Sequence, residues 1–538
     1  MKQIRTIFAL AITLLYIPAL SAQTSGFTPE MKLRMANRIM ETYYVDSIDS
    51  DKAVESAIVA MLKTLDPHST YTNAEETREL TTPLEGNFSG IGIQFNMLED
   101  TVFVIQTIPG GPCEKVGIVP GDRIIQAGDS ILAGRKLSNS RILGILRGPK
   151  GSVVPLTVVR RGEAEPMMFS VERDDIPIHS VDASFMADPT TGYIRITRFA
   201  ENTADELKEA LADLKRQGMK NLIIDLEDNG GGYLGAATEI ASEFLPKGAP
   251  IVYTDAEKLG TSTYDNERKG SFLDGRIVVM VNQYSASASE ILSGAIQDND
   301  RGLIVGRRTF GKGLVQRPFN FPDGSMIRLT VSRYFTPSGR CIQRPYDREN
   351  LDDYNLDILH RYEHGEFTSA DSVQLDKSQA YYTLHNHRPV YGGGGIMPDL
   401  FVPLDTTAVT PCYRQLLAKG IINRYAITYV DDNRDSLHTA YPTEQSFIDG
   451  FNVGPELIDG LAKMATTSGI ELKEDEFENS TPMLRTILKG LIGRDLFQTS
   501  TYYKVVYPIL NDEYIAALQL INDKKMYENL LKHGQKAK

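Results

Sequence analysis

Apolar residues recur at helical spacing near the start of the chain, Met31, Met35 and Ile39 in one stripe and Val54, Ile58 and Leu62 in a second. The pattern predicts two helices, the second stopped by Asp66-Pro67, and then a more polar helix around 74–80. At Gly86 the texture changes. Short β-rich runs at 91–95, 102–108, 123–127 and 154–160 alternate with turn signals such as Pro109-Gly110-Gly111-Pro112, and one helix near 138–146 interrupts them. From Gly192 onward strands and helices alternate: strand 193–198, helix 203–216, strand 221–226, helix 234–245, strand 276–282, helix 286–298, and strands 303–305 and 326–335. That alternation predicts an α/β layer with parallel strands. A polar, aperiodic tract at about 347–390 reads as a surface insertion, and helical patterning returns from Thr406 to the end.

The fold class is therefore α/β and multi-domain. Residues 23–83 form an N-terminal helical segment, 84–173 a β-rich module inserted after it, 174–405 an α/β core, and 406–538 a mostly helical C-terminal domain. The first 22 residues have a different character. Lys2 and Arg5 precede an apolar stretch from Ile7 to Leu20, and small residues follow at Ser21 and Ala22. This is the layout of a cleaved signal peptide, with an uncleaved anchor as the alternative. The expected location is the periplasm or cell envelope, with a membrane tether if the leader is retained. No cysteine near the cleavage point suggests a lipid anchor.

Composition narrows the chemistry. With 57 Lys+Arg against 70 Asp+Glu, the net charge of −13 gives no basic face for nucleic acid. Three cysteines (Cys113, Cys341, Cys412) supply neither a disulfide framework nor a metal-ligand spacing. The segment 281–291 runs from an apolar strand through Ser285, Ser287 and Ser289 into a helix. A serine at such a junction exposes its hydroxyl beside free amide N–H groups, which suits a nucleophile, although serine is also a routine helix cap. It needs a base. His360 and His364 read as a solvated helix face, His385 and His387 as loop residues, and His68 as a helix-end cap. Lys312, between Gly311 and Gly313 and beside Phe310, can be drawn into an apolar pocket where desolvation lowers its pKa. An exposed loop is the competing reading, and the spacing of a phosphate loop is absent.

Together, Ser285-Ala286-Ser287-Ala288-Ser289-Glu290, Gly311-Lys312-Gly313 and Gln316 resemble the carboxyl-terminal processing peptidases, or tail-specific proteases. Leu65-Asp66-Pro67-His68-Ser69, Gly192-Tyr193-Ile194-Arg195-Ile196, Thr336-Pro337-Ser338-Gly339-Arg340 and Gly395-Ile396-Met397-Pro398-Asp399 match further motifs of that family in order. The resemblance implies Ser287 as nucleophile, Lys312 as general base and Gln316 as the residue orienting the lysine. It implies oxyanion donors at the N–H of Ala288 and of Gly231 or Gly232, a choice left open. Direct contact between Lys312 and Gln316 requires a bend, because four residues of straight strand span about 13 Å.

The β-rich module resembles a PDZ domain, in which Gly90, Ile91, Gly92 and Ile93 would bind the carboxylate of a peptide added as a strand. Ile91, Ile93 and Phe95 are expected to line a pocket for a nonpolar last side chain. The implied activity is a Ser–Lys endopeptidase acting on exported proteins with free, nonpolar C-termini, with no metal or nucleotide cofactor. A catalytically silent PDZ scaffold and a core that binds small molecules are the alternatives. The C-terminal helices are open to reading as a closed core, a cover for the active site, a homo-oligomer surface or an adaptor site. Glu290 and Asp298 are expected to be structural. Asp225-Leu226-Glu227 departs from the family's Asp-Leu-Arg, so Glu227 must find another partner.

Overall fold

The computed structural model describes residues 27–534, so the expected leader at 1–22 lies outside the described residues. The chain divides into two compact units at Thr64/Leu65. The first holds helices Pro29–Tyr43 and Ser50–Lys63, capped by Thr28 and Asp49, whose side chains accept from Met31 and Lys52 N–H. No helix among the described residues is long and apolar enough to cross a membrane.

The second unit is organised by a six-stranded sheet in the order Val181–Met186, Thr191–Ile196, Asn221–Asp225, Ile277–Val281, Leu303–Gly306, Leu400–Phe401. The first pair is antiparallel and the rest are parallel. Its four middle strands are buried at every position, which is why they read as unbroken apolar runs rather than alternating ones. Side chains leave the two faces in turn. Ile194, Ile224, Val279 and Ile304 meet helices Thr203–Arg216, Leu234–Ser242 and Ala288–Asp298 on one side. Tyr193, Ile223, Val278 and Val305 meet Tyr514, Ala517, Ile521 and Leu530 on the other.

The second face is thus covered by the last helices of the chain, Asp512–Asn522 and Lys524–His533. The remaining C-terminal helices, from Pro411–Ala418 to Glu474–Leu496, close around a separate core that includes Leu416, Phe447, Leu461 and Leu488. Helical periodicity marks which face of a helix is buried but not against what, so the sequence runs these two groups together.

A second sheet carries the other half of the site. Strand Leu314–Asn320 pairs with Met326–Phe335, which also receives Thr70–Thr72 and Pro250–Ala256, with Gly260–Asp265 beyond. The strand Gly260–Asp265 is exposed along its whole length and therefore lacks any apolar signal. The β-rich module has its own core around Val104, Ile124, Ile142 and Leu156. Strand pair Asn87–Gly90 and Asp174–Pro177 joins its two ends, and Arg123 reaches Asp431 of the helical region at 2.6 Å. The tract expected to be an aperiodic surface insertion contains helix Leu351–Glu363, whose Tyr354 and Arg361 are buried. A partly amphipathic helix with many charges left too weak a stripe to be read in sequence.

Candidate active site

Residues that follow parallel strands at their carboxyl ends converge on one crevice, the usual position for a site in such a sheet. After Asn221–Asp225 the turn 226–232 begins, and after Ile277–Val281 comes the serine segment. Their interlock separates the three serines. Ser285 Oγ donates to Leu226 O at 2.8 Å and Ser289 Oγ to Asn229 O at 2.8 Å, both fully buried. Ser287 Oγ donates to no group among the described residues and lines a cavity of about 410 Å³. Its φ of +57° is rarely populated by a residue with a Cβ and turns the side chain out of the strand-to-helix junction.

Lys312 lines the same cavity. Burial lowers its pKa to about 8, helped by the positive charge of Arg328 and opposed by Glu290 and Asp66. The backbones of serine and lysine are tied to one buried carboxylate. Glu290 accepts from Ser287 N–H (2.8 Å), Thr309 Oγ1 (2.6 Å), Gly311 N–H (2.7 Å) and Lys312 N–H (2.9 Å). Its spacing from Ser287 is that of a helix capping box, but the carboxylate also spans to a loop 20 residues away in sequence. Burial raises its pKa while those hydrogen bonds pull it down.

Tyr334 adds a second tie, its hydroxyl donating to Lys312 O (2.7 Å) and lying 3.2 Å from Ser287 O. Sequence reading missed Tyr334 and Thr309. One is an apolar-looking strand position and the other a loop threonine, and only the fold places them between the serine and lysine segments.

The glycine turn explains its own composition. Gly231 has φ +102°, and a Cβ there would fall 2.8 Å from Ser287 Cβ and 3.0 Å from Ala288 N. The Gly231 amide donates to Asn229 Oδ1 at 2.9 Å. The amides of Gly232 and Ala288 make no hydrogen bond among the described residues, so of the two glycines left open by the sequence Gly232 has the free donor. Gly232 Cα packs against Phe199, where a Cβ would meet Phe199 O at 2.1 Å.

Gln316 also lines the cavity, and a register shift between Val315 and Gln316 supplies a bend in the strand. Its amide, however, donates to Leu314 O (3.3 Å) and Thr330 Oγ1 (3.2 Å) rather than to Lys312. Thr330 in turn donates to Asp66 Oδ1 at 3.0 Å, so Gln316 is linked to the Asp66-Pro67-His68-Ser69 turn. In that turn Asp66 does the capping, accepting from His68 and Ser69 N–H, whereas the His68 ring lies 2.8 Å from Tyr354 Oη. Burial and the nearby Lys312 push His68 down to about 3, leaving it neutral and a poor general base. Half-buried His360 and exposed His364 stand on and just after helix Leu351–Glu363.

The acidic residues behave as follows. Asp298 pairs with Arg340 at 2.7 Å, both fully buried. Glu227 accepts from Asn511 Nδ2 at 2.8 Å, a residue at the start of the last sheet-covering helices. Burial, Asp225 and Glu513 push its carboxyl well above the usual range. Arg195 supplies the cation of this turn, bonding Asp225 and Glu227 O. Asp399 anchors the other end of the sheet, taking Ile304 N–H and Arg388.

In the β-rich module, strand Ile93–Leu98 is one edge of the sheet, free to accept another strand. The carbonyls of Ile91 and Gly92 are taken by Cys113 and Ile108 N–H, which leaves the loop amides turned the other way. Gly92 has φ +75°, and a Cβ would press on Ile176 and Pro112 at 3.1 Å. The Ile91 side chain is buried in the module's core, so it does not line a surface pocket as the sequence suggested; Ile93 and Phe95 remain partly exposed. Alternation across the strand explains this only in part, because Ile91 precedes the strand and points inward from the loop. Gly90 packs against Phe88 and Arg147.

Among the described residues no cluster of three or more His, Cys, Asp or Glu could hold a metal ion. The arrangement suits acyl transfer: a free hydroxyl, a lysine with a lowered pKa and unengaged amides share one cavity.

Comparison with known proteins identifies relatives. The pattern of peptidase family S41 matches residues 190–348, that of a PDZ domain residues 89–171, and a family of unknown function residues 412–498. Carboxy-terminal processing protease CtpB of Bacillus subtilis (strain 168) is 35% identical over 320 residues, 58% of this chain and 65% of its own length. The chain thus spans slightly less than two thirds of that relative. Carboxy-terminal processing protease CtpA of the same organism is 32% identical over 371 residues, 66% of this chain and 78% of its own. A solved photosystem II D1 C-terminal processing protease is 28% identical, with 59% of this chain and 91% of that one covered, at a TM-score of 0.33.

Proposed function

Because the chain belongs to the carboxy-terminal processing proteases, PDZ-containing serine peptidases of family S41, we propose that it cleaves exported proteins with Ser287 as nucleophile and Lys312 as general base. The observation that carries this reading is the sorting of the three serines: Ser285 and Ser289 are tied to backbone carbonyls, and Ser287 alone offers its hydroxyl to the cavity that Lys312 shares.

In this mechanism neutral Lys312 takes the proton as Ser287 Oγ attacks the scissile carbonyl. The oxyanion accepts from Ala288 N–H and Gly232 N–H. Lys312 then returns the proton to the leaving amine, and water, deprotonated by the same lysine, hydrolyses the acyl-enzyme. Glu290 and Tyr334 hold the two backbones in register. No hydrogen bond joins Ser287 Oγ to Lys312 Nζ among the described residues, so bound substrate must bring them within reach. The PDZ module takes a free C-terminal tail on the edge strand Ile93–Leu98, its carboxylate against the amides of the 90–93 loop. Export to the periplasm or cell envelope is part of the proposal and rests on the leader.

The test uses an unfolded protein with a nonpolar C-terminus, incubated with wild type and Ser287→Ala and followed by mass spectrometry. Cleavage confined to wild type, faster with a free C-terminus than with an amide, supports the reading. Equal products with Ser287→Ala would sink it.

Gly231→Ala provides a sharper check on the oxyanion site. The new methyl would lie against Ser287 Cβ and the Ala288 amide. A fall in kcat/KM of about 10²-fold or more is expected, the size of effect seen when one oxyanion donor is lost. Activity within twofold of wild type would move the oxyanion elsewhere.

A further inference from the structure

We propose that Arg328 is a specificity-determining residue of the catalytic cavity, binding a carboxylate of the substrate beside the scissile bond. The inference rests on the proteolytic reading of Ser287 and Lys312. The cavity wall is largely apolar, with Leu84, Tyr233, Ile291, Val315 and Met326 among its residues, yet Arg328 also lines it. Its guanidinium makes no ion pair or hydrogen bond among the described residues, and its Nε is buried without a partner.

That is unusual within this core. Buried Arg195, Arg307, Arg340 and Arg388 each sit on a carboxylate, Asp225, Glu513, Asp298 and Asp399 respectively. Arg328 is half-buried, and a partly desolvated cation lacking an anion is costly, so natural folds seldom keep one without a ligand to complete it. The nearest acidic side chain in the turn beside it, Asp66, is already saturated by His68 N–H, Ser69 N–H, Ser69 Oγ and Thr330 Oγ1. Arg198, the other arginine of the cavity, lies in the field of Asp182.

Position ties the residue to the reaction. Arg328 stands on strand Met326–Phe335, opposite Pro318 of the strand that follows Lys312. Its charge is felt by Lys312 and by His68. A carboxylate docked there would lie beside the bond being cut, and a planar guanidinium can take it through two parallel hydrogen bonds. An acidic side chain near the scissile bond and the α-carboxylate of a chain end present the same chemistry.

The experiment separates these sources. Peptides carrying Glu or Gln at each position flanking the cut, and peptides ending in a free acid or an amide close to the cut, are compared as kcat/KM ratios. Wild type, Arg328→Gln and Arg328→Lys are used. The same peptides are titrated onto Ser287→Ala and Ser287→Ala/Arg328→Gln by fluorescence anisotropy, a readout independent of turnover. The expected result is a carboxylate preference of about 10-fold or more in one arm, reduced to within twofold in Arg328→Gln and partly kept in Arg328→Lys.

The arm that shows the preference identifies the source. Flat ratios in wild type, in cleavage and in binding, would overturn the proposal. So would a preference that survives Arg328→Gln. If Gln prevents folding, the reduced preference of Arg328→Lys decides. Carboxylate-dependent binding without any cleavage by wild type would keep Arg328 as the anion site and reject the protease reading.

Discussion

Lys312→Ala is expected to lower kcat/KM by at least about 10³-fold, with binding of a peptide tail to the PDZ module unchanged. The reason lies in what the cavity does to the ammonium. Burial removes its hydration and Arg328 adds like charge, bringing the pKa to about 8 against the pull of Glu290 and Asp66. The groups around it are therefore two carboxylates, one guanidinium and the neutral His68 ring. Only the neutral amine can accept the serine proton. Below pH 8 most of the lysine is protonated, so kcat/KM should rise about tenfold per pH unit and level off above about 8. Lys312→Arg should be as inactive as alanine at every pH tested, because a guanidinium stays charged. A limb centred near 6.5, or more than a tenth of the wild-type rate in Lys312→Ala, would instead point to a histidine. His68, pushed to about 3, could not produce such a limb.

Glu290→Ala should cost stability as well as rate. Its carboxylate is fully buried and satisfies four donors from three separate positions: the serine elbow, Thr309 and the lysine loop. Alanine leaves those donors without their acceptor, at about 1–3 kcal/mol for each group that cannot find another. Relaxation will recover part, and a net loss of about 3–5 kcal/mol is expected, a fall in Tm of roughly 10 °C. Even the folded fraction should cleave slowly, since Ser287 and Lys312 would lose their common anchor. Glu290→Gln keeps the shape but turns an NH₂ toward one of the two donor pairs, so it should fall between alanine and wild type in both measurements. Thermal unfolding together with kcat/KM at a temperature where all variants are folded checks this. A Tm within 2 °C of wild type for the alanine variant would contradict the anchoring role.

Much of the site was legible because its demands are local. The Ser287/Glu290 spacing is a capping signature, and Gly311-Lys312-Gly313 beside Phe310 marks a lysine that can enter an apolar pocket. A glycine run after a buried strand signals close backbone approach, which Gly231 and Gly232 make against Ser287 and Phe199. Other residues were not legible. Tyr334, Thr309 and Arg328 are ordinary strand or loop residues whose neighbours come from distant sequence. The sequence placed Gln316 on the lysine by analogy, but cross-strand pairing gives its amide to Thr330 instead.

The sequence by itself determined most elements of the central sheet, the order of the domains and the residue types able to perform acyl transfer, since periodicity, caps and turn residues act over a few positions. Tertiary structure alone decided which serine hydroxyl is left free, which glycine amide is unengaged and which acidic group joins the serine to the lysine. It also decided that the last helices cover the second face of the central sheet while Asn511 takes Glu227. The physical reason is the same in each case. Hydrogen-bond partners and burial are properties of the packed neighbourhood, and residues far apart in the chain meet only after the sheets have formed.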